Sequence, residues 1–282
     1  GAWNLANDDG GATTPWGYNE ITAAVGTNET HYAYMEFNAD SGWVKGYMDG
    51  NYLGMFTGAG YLFNHGGNIG LGAMNNGSYY HDGSAGGNGN YFTGEITEFL
   101  SFNRTLNESQ KVIIENYFGA KYGIGISNDK YAHEAGYSYD VFGIGRESSG
   151  NSHIISQGPG IVRIDNPSDA DNGDYKHIGH DNGDITSWTT AELLLDSVQR
   201  IAREWRVGDS GDLGQLRIAL DTTRLDTPPA YYDSYLLMLD TDGDSDFTTG
   251  DPEMIEMSGR FGEFARISGV SLDDGDVFTF AV

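Results

Sequence analysis

"FTGEITEFLSFNRTLNESQKVIIENYFGAKYGI", residues 92–124, is where extended sequence gives way to the chain's one clear helical signature. Asn107 can accept hydrogen bonds from first-turn amides, and Gln110, three residues on, can reach back to complete a capping box. Ile113 and Tyr117, joined by Phe118, form an apolar stripe, and Gly123 supplies a stop. The spacing predicts a helix over 107–123. On either side the pattern changes to strands. Upstream, "HYAYMEFN" (31–38) and "WVKGYMDGNYLGMF" (43–56) alternate, with Asp49-Gly50-Asn51 as a hairpin turn. Downstream, after the connection "SNDKYAHEAG" (127–136), strands are expected at 139–146, 160–165, 203–207, 214–220, 231–240 and 276–282. No internal repeat of fixed period is present.

Composition agrees with a β-rich chain. Among 282 residues, 42 are Gly and 13% are aromatic, which suits short strands joined by tight turns and excludes a disordered chain. Residues 1–126 carry 4 Lys/Arg against 12 Asp/Glu, and residues 127–282 carry 11 against 29, so the second half holds most of the net charge of −26. Such a surface repels nucleic acid and anionic membranes, attracts divalent cations and tolerates salt. With no Cys, disulfides, thiolate metal sites and thiol redox chemistry are excluded. No window approaches the ~20 apolar residues of a membrane span, and no signal-peptide pattern opens the chain, so membrane insertion is not expected.

Gly94, Ile96, Glu98, Phe102, Asn103, Arg104, Leu106, Lys121, Tyr122 and Gly123 follow the order of a last strand leading into a short helix that ends Lys-Tyr-Gly. In this the segment resembles the closing part of laminin-G-like, concanavalin-A-like jelly rolls. The hairpin at 43–56 and "GGNIGLGAMN" (66–75) are similar to the elements that precede it in that family. Downstream, "VFGIGRESSGNS" (141–152), "YKHIGHDNGD" (175–184), "REWRV" (203–207) and the acidic run beginning at "YLLML" resemble an uncharacterised β-rich module that follows such jelly rolls in large secreted, repeat-containing (RTX-type) bacterial adhesins. The resemblance implies an all-β protein. Residues 1–126 would form a jelly-roll sandwich with one short helix, and 127–282 an acidic, calcium-binding, β-sandwich-like module. Only about 90 residues precede the motif, fewer than the family's jelly rolls place there, so the opening strands are expected to be missing or split off. An extracellular, cell-surface setting and a role in adhesion are implied, with neighbouring domains of a larger polypeptide as partners. The alternative is a carbohydrate-binding accessory module of a secreted polysaccharide-degrading enzyme.

The strongest candidate site is "LMLDTDGDSDFTTGDPE" (237–253). Calcium takes six to eight oxygens, and Asp240, Asp242, Asp244 and Asp246 fall at positions 1, 3, 5 and 7 of an EF-type loop, with Asp251 at position 12. Ser245 replaces the Gly of position 6, Asp251 is shorter than the usual Glu, and the loop follows a strand. A calcium-stapled strand exit is therefore expected, against the alternative of a solvated acidic face. Asp169, Asp171 and Asp174, and the turn "LDDGD" (272–276), could hold further ions, although Asx-turn hydrogen bonding alone explains many such clusters. His177, His180, Asp181 and Asp184 offer zinc-type ligands, but positions three apart on a strand face opposite ways, and turn hydrogen bonding is the simpler reading. Tyr79, Tyr80, Asp82 and Asn90 lie in a Tyr/Asn/Gly-rich loop suited to a glycan or another cell-surface ligand, against the alternative of an ordinary flexible hairpin loop. No enzyme is expected. Glu95 and Glu98 lie three apart on the predicted strand and so face opposite ways, unlike a glycosidase carboxylate pair. The Gly-x-Ser-x-Gly elbow and the P-loop Lys-Ser/Thr are also missing.

Overall fold

The computed structural model describes residues 2–8, 18–26, 28–57, 68, 70–73, 75–77, 87–89, 91–193, 195, 197–229, 232, 234–259 and 262–282. Among the described residues strand far outweighs helix, so the protein is all-β, of sandwich type. It divides into two compact units, residues 1–106 and 107–282.

In the first unit β1 (Ala2–Asp8) and β2 (Tyr18–Ala24) form an antiparallel ribbon, and β3 (Ala33–Asn38), β4 (Trp43–Met48) and β5 (Asn51–Thr57) a meander. Asp49 and Gly50 both take positive φ (50° and 75°), as a two-residue type I′ turn requires. Phe37, Val44, Leu53 and Phe56 pack with Ile21 on one face of this meander. On the other face Tyr34 and Tyr47 stack with ring centroids 4.4 Å apart. Residues 91–106 form no strand, and Ile96, Phe99, Leu100 and Phe102 are exposed. The closing strand implied by the family resemblance is therefore not formed in this run.

The second unit opens with α1 (Glu108–Tyr122), and its caps are as the sequence indicates. The Asn107 side chain accepts from the Gln110 amide at 2.9 Å, Gln110 reciprocates at 3.1 Å, and Gly123 turns left-handed at φ 65°. There follow α2 (Glu134–Tyr137), β6 (Tyr139–Ser148), β7 (Asn151–His153), β8 (Ile155–Gln157), β9 (Val162–Asp165), β10 (Tyr175–His180), β11 (Trp188–Thr189), β12 (Arg200–Ile201), β13 (Trp205–Ser210), β14 (Leu216–Asp221), a 3-10 turn at Thr222–Arg224, β15 (Tyr235–Asp240), β16 (Glu253–Met257), β17 (Phe264–Val270) and β18 (Val277–Ala281).

Two antiparallel sheets result. One runs β16-β15-β18-β13-β10-β6-β7, with β12 and β11 continuing from one end of β18, and the other runs β17-β14-β9-β8. Ile144, Ile178, Val207, Leu237, Phe278 and Phe280 of the first meet Val162, Ile164, Leu216, Ile218 and Leu220 of the second in one core. The larger sheet is covered on its other face as well, by Tyr131, Tyr137, Val198 and Phe247 against Val141, Met238, Val277 and Ala281. For this reason β10 and β18 are buried at every position, where a one-faced strand would alternate.

The boundary differs from the expected 126/127 because α1 belongs to the second unit. Ser109 Oγ donates to the Asn151 carbonyl and accepts from the Glu147 amide, and Val112 and Ile113 pack on Tyr175. The helix is thus welded to β6, β7 and β10.

Candidate metal centre

β15 carries the acidic loop. Its register with β18 places Asp240 opposite Val277, and Asp240 is only 1% exposed. The side chain is fixed by its own loop: one carboxylate oxygen accepts from the amides of Asp242 and Gly243 (both 3.2 Å), the other from Ser245 (2.9 Å). The same i to i+2 contact repeats down the chain. Asp242 accepts from the Asp244 amide, Asp244 from the Asp246 amide, and Asp246 from the amide and hydroxyl of Thr248. Alternating Asp therefore builds a staircase of Asx turns, which coils the chain back on itself and gathers carboxylates that an extended strand would space out.

Asp240, Asp242 and Asp244 bring one oxygen each within 4.8 Å of one another, the only such His/Cys/Asp/Glu group among the described residues. A carboxylate has about four lone-pair positions. Asp240 spends three on amides, which leaves one, while Asp242 and Asp244 are exposed and less committed. Three carboxylates with loop carbonyls and water would make an oxygen set suited to calcium. Burial, opposed by the Ser245 amide and reinforced by neighbouring Asp242, pushes the Asp240 carboxyl above the usual range. A cation here would relieve that cost.

Asp246 stands outside the triplet, and its hydrogen bonds to Thr248 hold its carboxyl below the usual range. Asp251 is exposed, at φ 56°. Ser245, in the place of an EF-loop Gly, takes φ 67°, the left-handed conformation that the Gly would provide. Its hydroxyl lies 2.6 Å from that of Tyr137, and Phe247, 1% exposed, anchors the loop under the Arg200 guanidinium.

Three neighbours of the loop come from distant parts of the chain. Gly243 lies against Gly275, so that a Cβ on Gly243 would fall 2.6 Å from the Gly275 carbonyl oxygen and 3.1 Å from Arg206 Nη2. Arg206 thus places a positive charge beside the turn, and it also lies over the Tyr137 ring. Asp276, buried and pushed above the usual carboxylate range by that burial, feels the charge of Asp240. The acidic turn at 272–276, only a secondary candidate in the sequence, is therefore part of the same corner. An open depression of about 300 Å³ beside it is lined in part by Thr241, Glu253, Asp273 and Asp276.

The remaining candidates divide. Asp169, Asp171 and Asp174 do not converge: Asp174 accepts from the Asp171 amide at 2.7 Å, and the Asp169 amide bonds the Leu213 carbonyl. Asp181 accepts from the amides of Gly183 and Glu204, and Asp184 caps Thr186 and Ser187. His180 pairs with Asp140 at 3.1 Å. His177 is fully buried and stacked on Tyr175, and burial pushes its pKa down to about 3. Hydrogen bonding thus occupies His180, Asp181 and Asp184, whereas neither ring nitrogen of buried His177 has a hydrogen-bond partner among the described residues. Tyr79, Tyr80, Asp82 and Asn90 lie outside the described residues.

Residues 109–276, more than half of the chain, match the family described as Domain of unknown function (DUF8202). The chain belongs to this family. The DUF8202 region begins within α1 and stays inside the second unit, and it contains the whole acidic loop together with Arg206 and Asp276. No curated protein and no solved structure matches the chain.

Proposed function

We propose that the chain is a non-catalytic, calcium-stabilised extracellular segment of a bacterial adhesin, serving as a ligand-binding or scaffold module at the cell surface. The observation that carries this reading is the convergence of Asp240, Asp242 and Asp244 within 4.8 Å at the end of a buried strand. Calcium bound there would join the β15–β16 connection to the core through Asp240 and Phe247. Because an ion that binds only the folded state adds its binding energy to stability, the module would be stiff where calcium is abundant and looser where it is scarce. A stiff, acidic, cysteine-free module suits an extracellular setting rich in calcium. Beads coated with the protein and presented to bacterial cells test the adhesion role. Attachment that requires calcium and is lost in the Asp242→Asn/Asp244→Asn variant supports it, and attachment no greater than that of uncoated beads in calcium refutes it.

A further inference from the structure

β9, β14 and β17 turn Ile164, Ile218 and Ala265 into the core. By alternation Arg163, Asp165, Arg217, Ala219, Phe264 and Arg266 share the opposite face. Register places Ala219 opposite both Arg163 and Arg266, so two guanidinium-bearing side chains start roughly 10 Å apart, two strand spacings, with only a methyl group between them. The six residues line an open depression of about 240 Å³. Three of the chain's ten arginines meet here around one carboxylate, a local charge of +2 on a chain whose net charge is −26.

The arginines are not equivalent. Arg217 grips Asp165 with two nitrogens, Nη2 at 2.8 Å, and Arg163 Nε reaches the same carboxylate at 3.0 Å. Burial opposes ionisation of Asp165, but Arg217 and Arg163 outweigh it and hold its carboxyl below the usual range. Asp165 therefore stays charged and orients both cations. Arg266 is exposed, has no carboxylate partner among the described residues, and lies over the Phe264 ring at 5.8 Å. Guanidinium groups bind both carboxylates and tetrahedral oxyanions in bidentate fashion, and here one free fork and one partly used fork flank a small slot beside an aromatic ring.

We infer that this face binds the oxyanion of a single acidic sugar residue, a uronate carboxylate or a sulfate ester, held by Arg266 and Arg163 with the sugar ring against Phe264. Size and charge argue for one residue. The depression is smaller than the roughly 300–1,000 Å³ of drug-sized sites, and a long polyanion would be repelled by the acidic remainder of the surface. The site shares no residue with the acidic loop, so it can stand or fall independently of calcium.

The test is arginine side-chain NMR on the whole chain, titrated with glucuronate, glucose 6-sulfate, glucose and an Asp-Glu dipeptide. Saturable shifts at Arg266 and Arg163 with glucuronate or glucose 6-sulfate, and none with glucose, are expected, and the stronger of the two identifies the oxyanion. Arg266→Gln removes no ion pair among the described residues, so it should leave the melting temperature unchanged while weakening binding about five-fold, the worth of one exposed charge-assisted contact. Equal responses to glucose, unchanged affinity in Arg266→Gln, or a dipeptide that binds as tightly as the acidic sugars would each overturn the proposal.

Discussion

At the scale of single residues, alternation of Asp along 240–246 does two jobs at once. Each carboxylate holds the amide two residues on, and the coil so formed brings three carboxylates together. The alternation and its likeness to a calcium loop could be read from the sequence. The neighbours could not, because Tyr137, Arg206 and Gly275 approach from distant parts of the chain, and only their contacts explain how Ser245 is held left-handed and why position 243 is Gly. Gly243→Ala combines a φ of 68° with a contact to the Gly275 carbonyl that no Cβ can tolerate. It should cost about 1–3 kcal/mol, read as a lower urea midpoint, and weaken calcium binding; an unchanged midpoint would show that the two turns separate freely.

At the scale of elements, the sequence announced what is amphipathic or capped and concealed what is buried on both faces. The helix ends were written in Asn107, Gln110 and Gly123, and the alternating or apolar runs became β6, β9, β13, β14, β15 and β18. β10 is absent from the strands expected from the sequence, since Lys176, His177 and His180 break its apolar run. In the fold Lys176 bonds Asp209 at 2.7 Å and the Leu272 carbonyl, and Tyr175 and His177 stack, so the strand is interior despite its composition. The stripe of α1 shows that the helix packs but not on what, and only its contacts with β6, β7 and β10 assign it to the second unit. Asn107→Ala removes a cap from a helix that belongs to the second unit, and should cost that unit about 0.5–2 kcal/mol, measured by denaturant unfolding. Restoration by Asn107→Ser or Asn107→Asp would confirm that capping is the cause.

At the scale of the whole molecule, charge is the dominant feature. Burial raises the carboxyls of Asp240, Asp276, Asp209 and Glu204, and hydrogen bonding to Asp49 raises His31. A raised group contributes stability that is fully present below its unfolded pKa and is lost as pH rises through its folded pKa. Asp140, Asp165 and Asp274 are lowered, so their contribution is present above their unfolded value and lost only as pH falls through their folded values. In chelator these raised carboxyls should therefore favour the fold as pH falls from neutral towards about 4, a gain opposed from about 6.5 downward by His177, whose pKa burial pushes down to about 3, and stability should fall below that. Calcium should reverse the upper limb, since protons compete with it for Asp240, and melting curves across pH with and without calcium would show the crossing. The most direct test of the central claim is the melting temperature at neutral pH in excess calcium, in excess magnesium and in chelator. The account requires a clear rise with calcium, of about 2.7 kcal/mol when free calcium is a hundred times the dissociation constant, with little effect of magnesium and loss of the rise in Asp242→Asn/Asp244→Asn. Identical melting in calcium and chelator would contradict it.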